Sequence, residues 1–150
     1  MKNAIALIII TLLVASCATL EKNKDKKESI YAEYVKENKL QSQKKITSFN
    51  FHGWRSLDNQ YLILSTSFSK PYLIDLIGYC HDLNFTQTIV VHNSGSTLHA
   101  KFDSISVPNY SIKCRIDSIY RITKKQANEL TSLKSVKKVK KADKIKTSES

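Results

Sequence analysis

The feature that most constrains this chain is an N-terminal leader that ends at Leu13-Val14-Ala15-Ser16-Cys17. Lys2 supplies a positive start, and Ala4 to Val14 form an apolar run containing Ile8-Ile9-Ile10 and Leu12-Leu13. That run is too short to span a bilayer, which takes about 20 apolar residues. Positive charge, apolar run and small residues come in the order of a secretory signal, so residues 1–16 are expected to be removed and to take no part in the fold. The mature chain then folds in an oxidising compartment, which decides how its other cysteines are read.

A cysteine directly after small Ala15 and Ser16 looks like a bacterial lipobox, the motif at which a cysteine thiol is joined to diacylglycerol before the leader is cut. The resemblance implies that Cys17 becomes the first mature residue, lipidated on sulfur and then N-acylated, with palmitate-type chains as the membrane anchor. Each buried acyl methylene contributes about 0.8 kcal/mol, so several chains on one residue hold a soluble domain at a membrane. The competing readings are an ordinary cleaved signal beside an incidental Cys17, and an uncleaved anchor. Ala18 follows the cysteine where an Asp would suggest inner-membrane retention. The expected location is therefore the periplasmic face of the outer membrane, with a soluble periplasmic or inner-membrane lipoprotein as the alternative.

Three cysteines are an odd count for a secreted domain. An acylated Cys17 accounts for one and leaves Cys80 and Cys114. An even pair in an oxidising compartment reads as one disulfide closing a 33-residue loop. Such a bridge stabilises by about 3–4 kcal/mol on the chain-entropy argument. Two free buried thiols or half of a metal site are the other readings. Neither cysteine has a CxxC partner or a histidine at zinc-site spacing, since His81 merely adjoins Cys80.

The 150 residues carry a net charge of +11, and its distribution matters more than its size. Residues 21–45 hold eight Lys and five acids, residues 46–122 six basic and five acidic residues, and residues 123–150 nine Lys and three acids. A near-neutral globular middle lies between basic extensions. Nucleic-acid binding would need cations clustered in the folded part with interleaved aromatics, so no nucleic-acid partner is expected.

Residues 17–27 are polar and lysine-rich and read as a flexible tether. Between 28 and 40, Ile30, Tyr31, Tyr34 and Val35 share one helical face. The apolar period then falls from about 3.6 to 2. Strands are expected over 46–51, 61–64, 72–76, 88–91, 97–102, 104–107 and 111–122, punctuated by Asp58-Asn59, Gly78, Asn93-Ser94-Gly95 and Pro108-Asn109. Thr123 and Gln126 form a capping box for a helix over 124–134 whose stripe is Ala127, Leu130 and Leu133. Residues 135–150 are Lys-rich and apolar-poor, and are expected to form a disordered tail or a frayed helix. As an electrostatic arm the tail would suit anionic lipid headgroups or polysaccharide. The fold class is mainly β: a small antiparallel barrel or sandwich over 46–122, within one globular domain spanning 28–134, with an N-terminal helix and a short C-terminal one.

The series Gly53-Trp54-Arg55-Ser56-Leu57-Asp58, Tyr72-Leu73-Ile74-Asp75-Leu76, Cys80-His81-Asp82-Leu83, Lys101-Phe102-Asp103-Ser104-Ile105 and Cys114-Arg115-Ile116-Asp117-Ser118-Ile119-Tyr120 resembles a family of uncharacterised proteobacterial lipoproteins over roughly residues 45–126. The resemblance implies paired cysteines and an exported, membrane-tethered state. It implies no reaction.

No catalytic constellation is legible. Cys80-His81-Asp82 places nucleophile, base and acid types side by side, but catalysis needs such groups converging in space, and a disulfide leaves no thiolate. His92 and His99 flank a turn and lack a third metal ligand. Asp58, Asp75, Asp82, Asp103 and Asp117 are spread singly, as turn-capping acids are. Trp54 beside Arg55 suggests a weak aromatic platform for a ligand, against the blander role of core anchor. The expected function is thus a non-enzymatic accessory or interaction domain with no cofactor and no metal. It would be bound to the membrane through Cys17 and to an envelope protein partner. The alternative is a binding module for a small ligand, glycan or lipid; a hydrolase invisible to motif reading is the last.

Overall fold

The computed structural model describes residues 29–108 and 112–146. The expected leader, the expected tether over 17–27 and Cys17, the residue expected to be lipidated, lie outside the described residues.

The first helix, α1, spans Ile30–Glu37, within the expected 28–40. Ser29 caps it by accepting from the Tyr31 amide, and the chain leaves it through Lys39 in the left-handed region at φ 49°. Nine strands follow: β1 Ser42–Gln43, β2 Lys45–Ile46, β3 Gly53–Ser56, β4 Tyr61–Ser65, β5 Pro71–Leu76, β6 Val90–His92, β7 Leu98–His99, β8 Ser104–Ser106 and β9 Lys113–Arg121. The last helix, α2, spans Lys124–Lys146.

Seven of these strands form one antiparallel sheet, ordered β3-β4-β5-β9-β8-β6 with β1 added beside β9, and the sheet curls into a half-barrel. β2 and β7 make a separate two-stranded ribbon. β9 is the spine. One of its edges pairs with β5, and the other takes β8 against residues 113–115 and β1 against residues 119–120.

Both faces of the sheet are buried. Leu62 and Leu64 of β4 point with Ile74, Leu76 and Ile116 into a core shared with the ribbon. Tyr61 and Ile63 of the same strand point with Leu73 into a core covered by Tyr31 and Tyr34 of α1 and by Ala127 and Leu130 of α2. A strand buried on both faces reads as a continuous apolar run rather than an alternation, which is why residues 61–64 are Tyr-Leu-Ile-Leu.

The pairing of β5 with β9 shifts register between Asp75 and Leu76, whose partners are Ser118 and Ile116. Asp117 is the extra residue of a β-bulge, and the side-chain alternation changes phase across it. Cys114, Ile116 and Ile119 consequently share the ribbon-side core despite their odd spacing.

Three expected segments differ. No strand covers 46–51, because Ser48 sits at φ 54° and turns the chain after β2. The 97–102 strand stops at His99, because Lys101 at φ 71° begins a turn. The final helix runs to Lys146, past the expected end at 134, so the helical alternative for the stretch after Lys134 is the one its backbone takes. Physically, residues 124–146 contain no Gly or Pro and nine lysines, a good helix former that adds no apolar stripe.

Candidate functional site

Cys80 and Cys114 are joined, with Cα atoms 5.7 Å apart. Both are buried in the ribbon-side core, at 2% and 7% exposure, so the bridge ties the loop after β5 to the spine strand. The adjacent His81 and Asp82 lie on a turn, where Asp82 adopts φ 55° and its carbonyl accepts from the Phe85 and Thr86 amides. His81 meets Tyr79 edge-on at 5.0 Å. This trio does not converge on one point.

The remaining polar groups pair off locally. His92 Nε2 lies 2.8 Å from Ser106 Oγ across the β6–β8 pair. His99 Nδ1 lies 3.4 Å from Asp103 Oδ2, and the same oxygen accepts the His99 amide at 2.6 Å. Asp103 therefore closes the β7–β8 turn, a partner for His99 that sequence spacing did not reveal. Asp58 Oδ1 accepts the Gln60 and Tyr61 amides at 2.9 and 2.8 Å. Asp75 accepts from Tyr61 Oη at 3.1 Å and Gln60 Nε2 at 3.2 Å; burial still holds its carboxyl above the usual range. Asp117 is held below that range by its hydrogen bond from Lys101. Among the described residues, no three His, Cys, Asp or Glu side chains gather to hold a metal ion.

Trp54 and Arg55 border a groove of about 420 Å³ along edge strand β3, with Asn84, Gln87, Thr131 and Lys134 on its walls. As strand neighbours they face opposite ways. Trp54 packs against the ribbon-side core while Arg55 is exposed, so the anchor role and a place on the groove wall coexist.

The most distinctive surface was not singled out from sequence. Phe102, at the tip of the β7–β8 turn, is 84% exposed. It forms a wall shared by two grooves, of about 710 and 650 Å³. Lys44, Lys45 and Lys101 line the first, and Lys113 and Arg115 line the second. Lys101 pairs with Asp117. The other four cations have no acidic partner among the described residues. An apolar ring between unpaired cations suits a ligand that is anionic at its surface and apolar beneath.

The family of unknown function DUF6491 matches residues 1–138. The chain belongs to that family. The match is wider than the 45–126 expected from sequence, taking in residues 1–44 and most of α2. No curated protein and no solved structure matches the chain. Among the described residues, no helix is long and apolar enough to cross a membrane.

Proposed function

We propose that this DUF6491 protein is an exported bacterial lipoprotein. Its globular domain is a non-enzymatic accessory or interaction domain, held by an acylated Cys17 on the periplasmic face of the outer membrane. The observation that carries the reading is the buried Cys80–Cys114 bridge. A structural disulfide in a small domain belongs to an oxidising compartment, and the leader ending at Cys17 is the signal that would deliver the chain there. The non-enzymatic reading is supported by how the histidines and acids are spent on turns and strand contacts. The Lys-rich residues 135–150 add an arm for anionic surfaces.

Metabolic labelling with an alkyne palmitate tests the anchor. The wild-type chain takes up label in the membrane fraction and Cys17→Ala does not. Label absent from the wild type, or retained by Cys17→Ala, contradicts the proposal. Crosslinking in cells then identifies an envelope partner.

The groove beside Trp54 favours a second reading, a binding module for a small ligand or glycan, since amide and cationic side chains surround an aromatic there. A saturable change in Trp54 fluorescence on titration with cell-envelope glycans would support it.

A further inference from the structure

We propose that the Phe102 surface seats the folded domain on an anionic phospholipid bilayer. The inference rests on the reading above that the domain works at a membrane. It adds a second contact, made by the fold itself rather than by acyl chains.

Phe102 projects because of the backbone beneath it. Lys101 is held in the left-handed region at φ 71°, and its amide donates to the Ile116 carbonyl at 2.8 Å. Asp103, the next residue, is only 8% exposed and fixes the turn through the His99 amide. A ring pinned between two anchored residues is presented rather than loose.

The cations around it come from three separate parts of the chain. Lys44 and Lys45 lie at the β1–β2 junction, Lys101 in the turn, and Lys113 and Arg115 on β9. A bilayer offers phosphates at the surface and hydrocarbon beneath, and this surface offers cations around one apolar ring. Lys and Arg stems lie along apolar surface while their heads stay at the phosphates, and each such cation strengthens binding to an anionic leaflet about fivefold. A glycan site would instead present an aromatic platform with hydrogen-bonding amides, which is the character of the Trp54 groove on another part of the domain.

The test uses the full chain carrying Trp54→Phe and Phe102→Trp, so that the only tryptophan reports on the turn tip. Vesicles are phosphatidylcholine alone or with one quarter phosphatidylglycerol, each with and without brominated acyl chains. The expected result is a blue-shifted emission from the introduced indole, quenched by brominated lipid on anionic vesicles only and reversed by high salt. In a Cys17→Ala background, where no acyl chain can hold the protein on either vesicle, Lys113→Gln with Arg115→Gln weakens partition to anionic vesicles about 25-fold, which keeps the test available if the tryptophan variant misfolds.

Emission unchanged on anionic vesicles, or quenched equally on neutral ones, overturns the proposal. So does a shift produced by a soluble sulfated polysaccharide but not by vesicles, which reassigns the surface to glycan. Failure of the lipoprotein reading is distinguishable: the chain's mass then lacks acyl chains while the response of the turn-tip indole to anionic vesicles persists.

Discussion

The two faces of the sheet are held by different chemistry. The ribbon-side core is mostly aliphatic and covalently closed, with Leu62, Leu64, Ile74 and Ile116 beside Phe49, Tyr72 and the Cys80–Cys114 bridge. The helix-side core adds three buried phenols, each with a hydrogen-bond acceptor, to its aliphatic residues. Tyr31 Oη donates to the Leu57 carbonyl at 3.3 Å, Tyr34 Oη to Glu129 at 2.5 Å, and Tyr61 Oη to Asp75 at 3.1 Å. Successive residues of β4 feed the two cores in alternation. On the ribbon side the loop after β5 is fixed to β9 by a covalent bond. On the other side Tyr31 ties α1 to the backbone after β3, and Tyr34 ties α1 to α2.

That contrast breaks first at the bridge. Cys80→Ala with Cys114→Ala is expected to cost about 3–4 kcal/mol in chemical denaturation, the largest single effect outside core truncation. Tyr61→Phe on the other face removes one of the two donors to half-buried Asp75 and costs about 1 kcal/mol. Because the sites lie on opposite faces with no shared partner, the combined variant is expected to be additive within about 0.5 kcal/mol. A larger coupling would mean the two cores are one unit.

Alkaline titration separates the faces by another route. Tyr31, Tyr34 and Tyr61 all have phenol pKa values raised chiefly by burial. The folded chain keeps these protons after the unfolded chain has lost them above about pH 10. The phenols therefore contribute stability below that pH, and it is lost as pH rises through their folded values. Tyr34→Phe is expected to flatten the fall in stability above about pH 10, read by thermal melts, whereas breaking the disulfide leaves that slope unchanged.

Smaller effects sharpen the picture. Thr123→Ala removes the acceptor for the Gln126 amide at 3.2 Å and is expected to cost about 1 kcal/mol at the start of α2. Asp75→Asn acts through pH. The raised Asp75 pKa contributes stability at acid pH that is lost as pH rises through its folded value. The variant should therefore show a shallower decline from about pH 4 toward neutrality in melts across that range.

Much of this was legible in the chain because the relevant signals are local. The strands at 61–64 and 72–76 show in their apolar runs, and Thr123-Lys-Lys-Gln126 caps as its spacing indicates, with Gln126 Oε1 accepting the Thr123 amide at 2.9 Å. The pairing of Cys80 with Cys114 followed from counting cysteines. What was hidden depends on conformation or convergence. Ser48 and Lys101 adopt left-handed backbone without being glycine, so neither looks like a break. The bulge at Asp117 stays hidden when residues 111–122 are read as one continuous strand, although the step from Ile116 to Ile119 breaks the alternation. Counted along the chain, residues 46–122 are nearly neutral, yet Lys101, Lys113 and Arg115 of that stretch meet Lys44 and Lys45 around Phe102. Charge patches belong to surfaces, and linear counts dilute them.

The central claim, an exported domain anchored at Cys17 and closed by Cys80–Cys114, is tested most directly by the intact mass of the native protein. The protein is extracted from the membrane fraction and alkylated with and without prior reduction. The account predicts a mass lacking residues 1–16 and raised by acyl chains, with two alkylatable thiols appearing only after reduction. An unlipidated mass in which Cys80 and Cys114 alkylate without reduction would contradict both the anchor and the bridge.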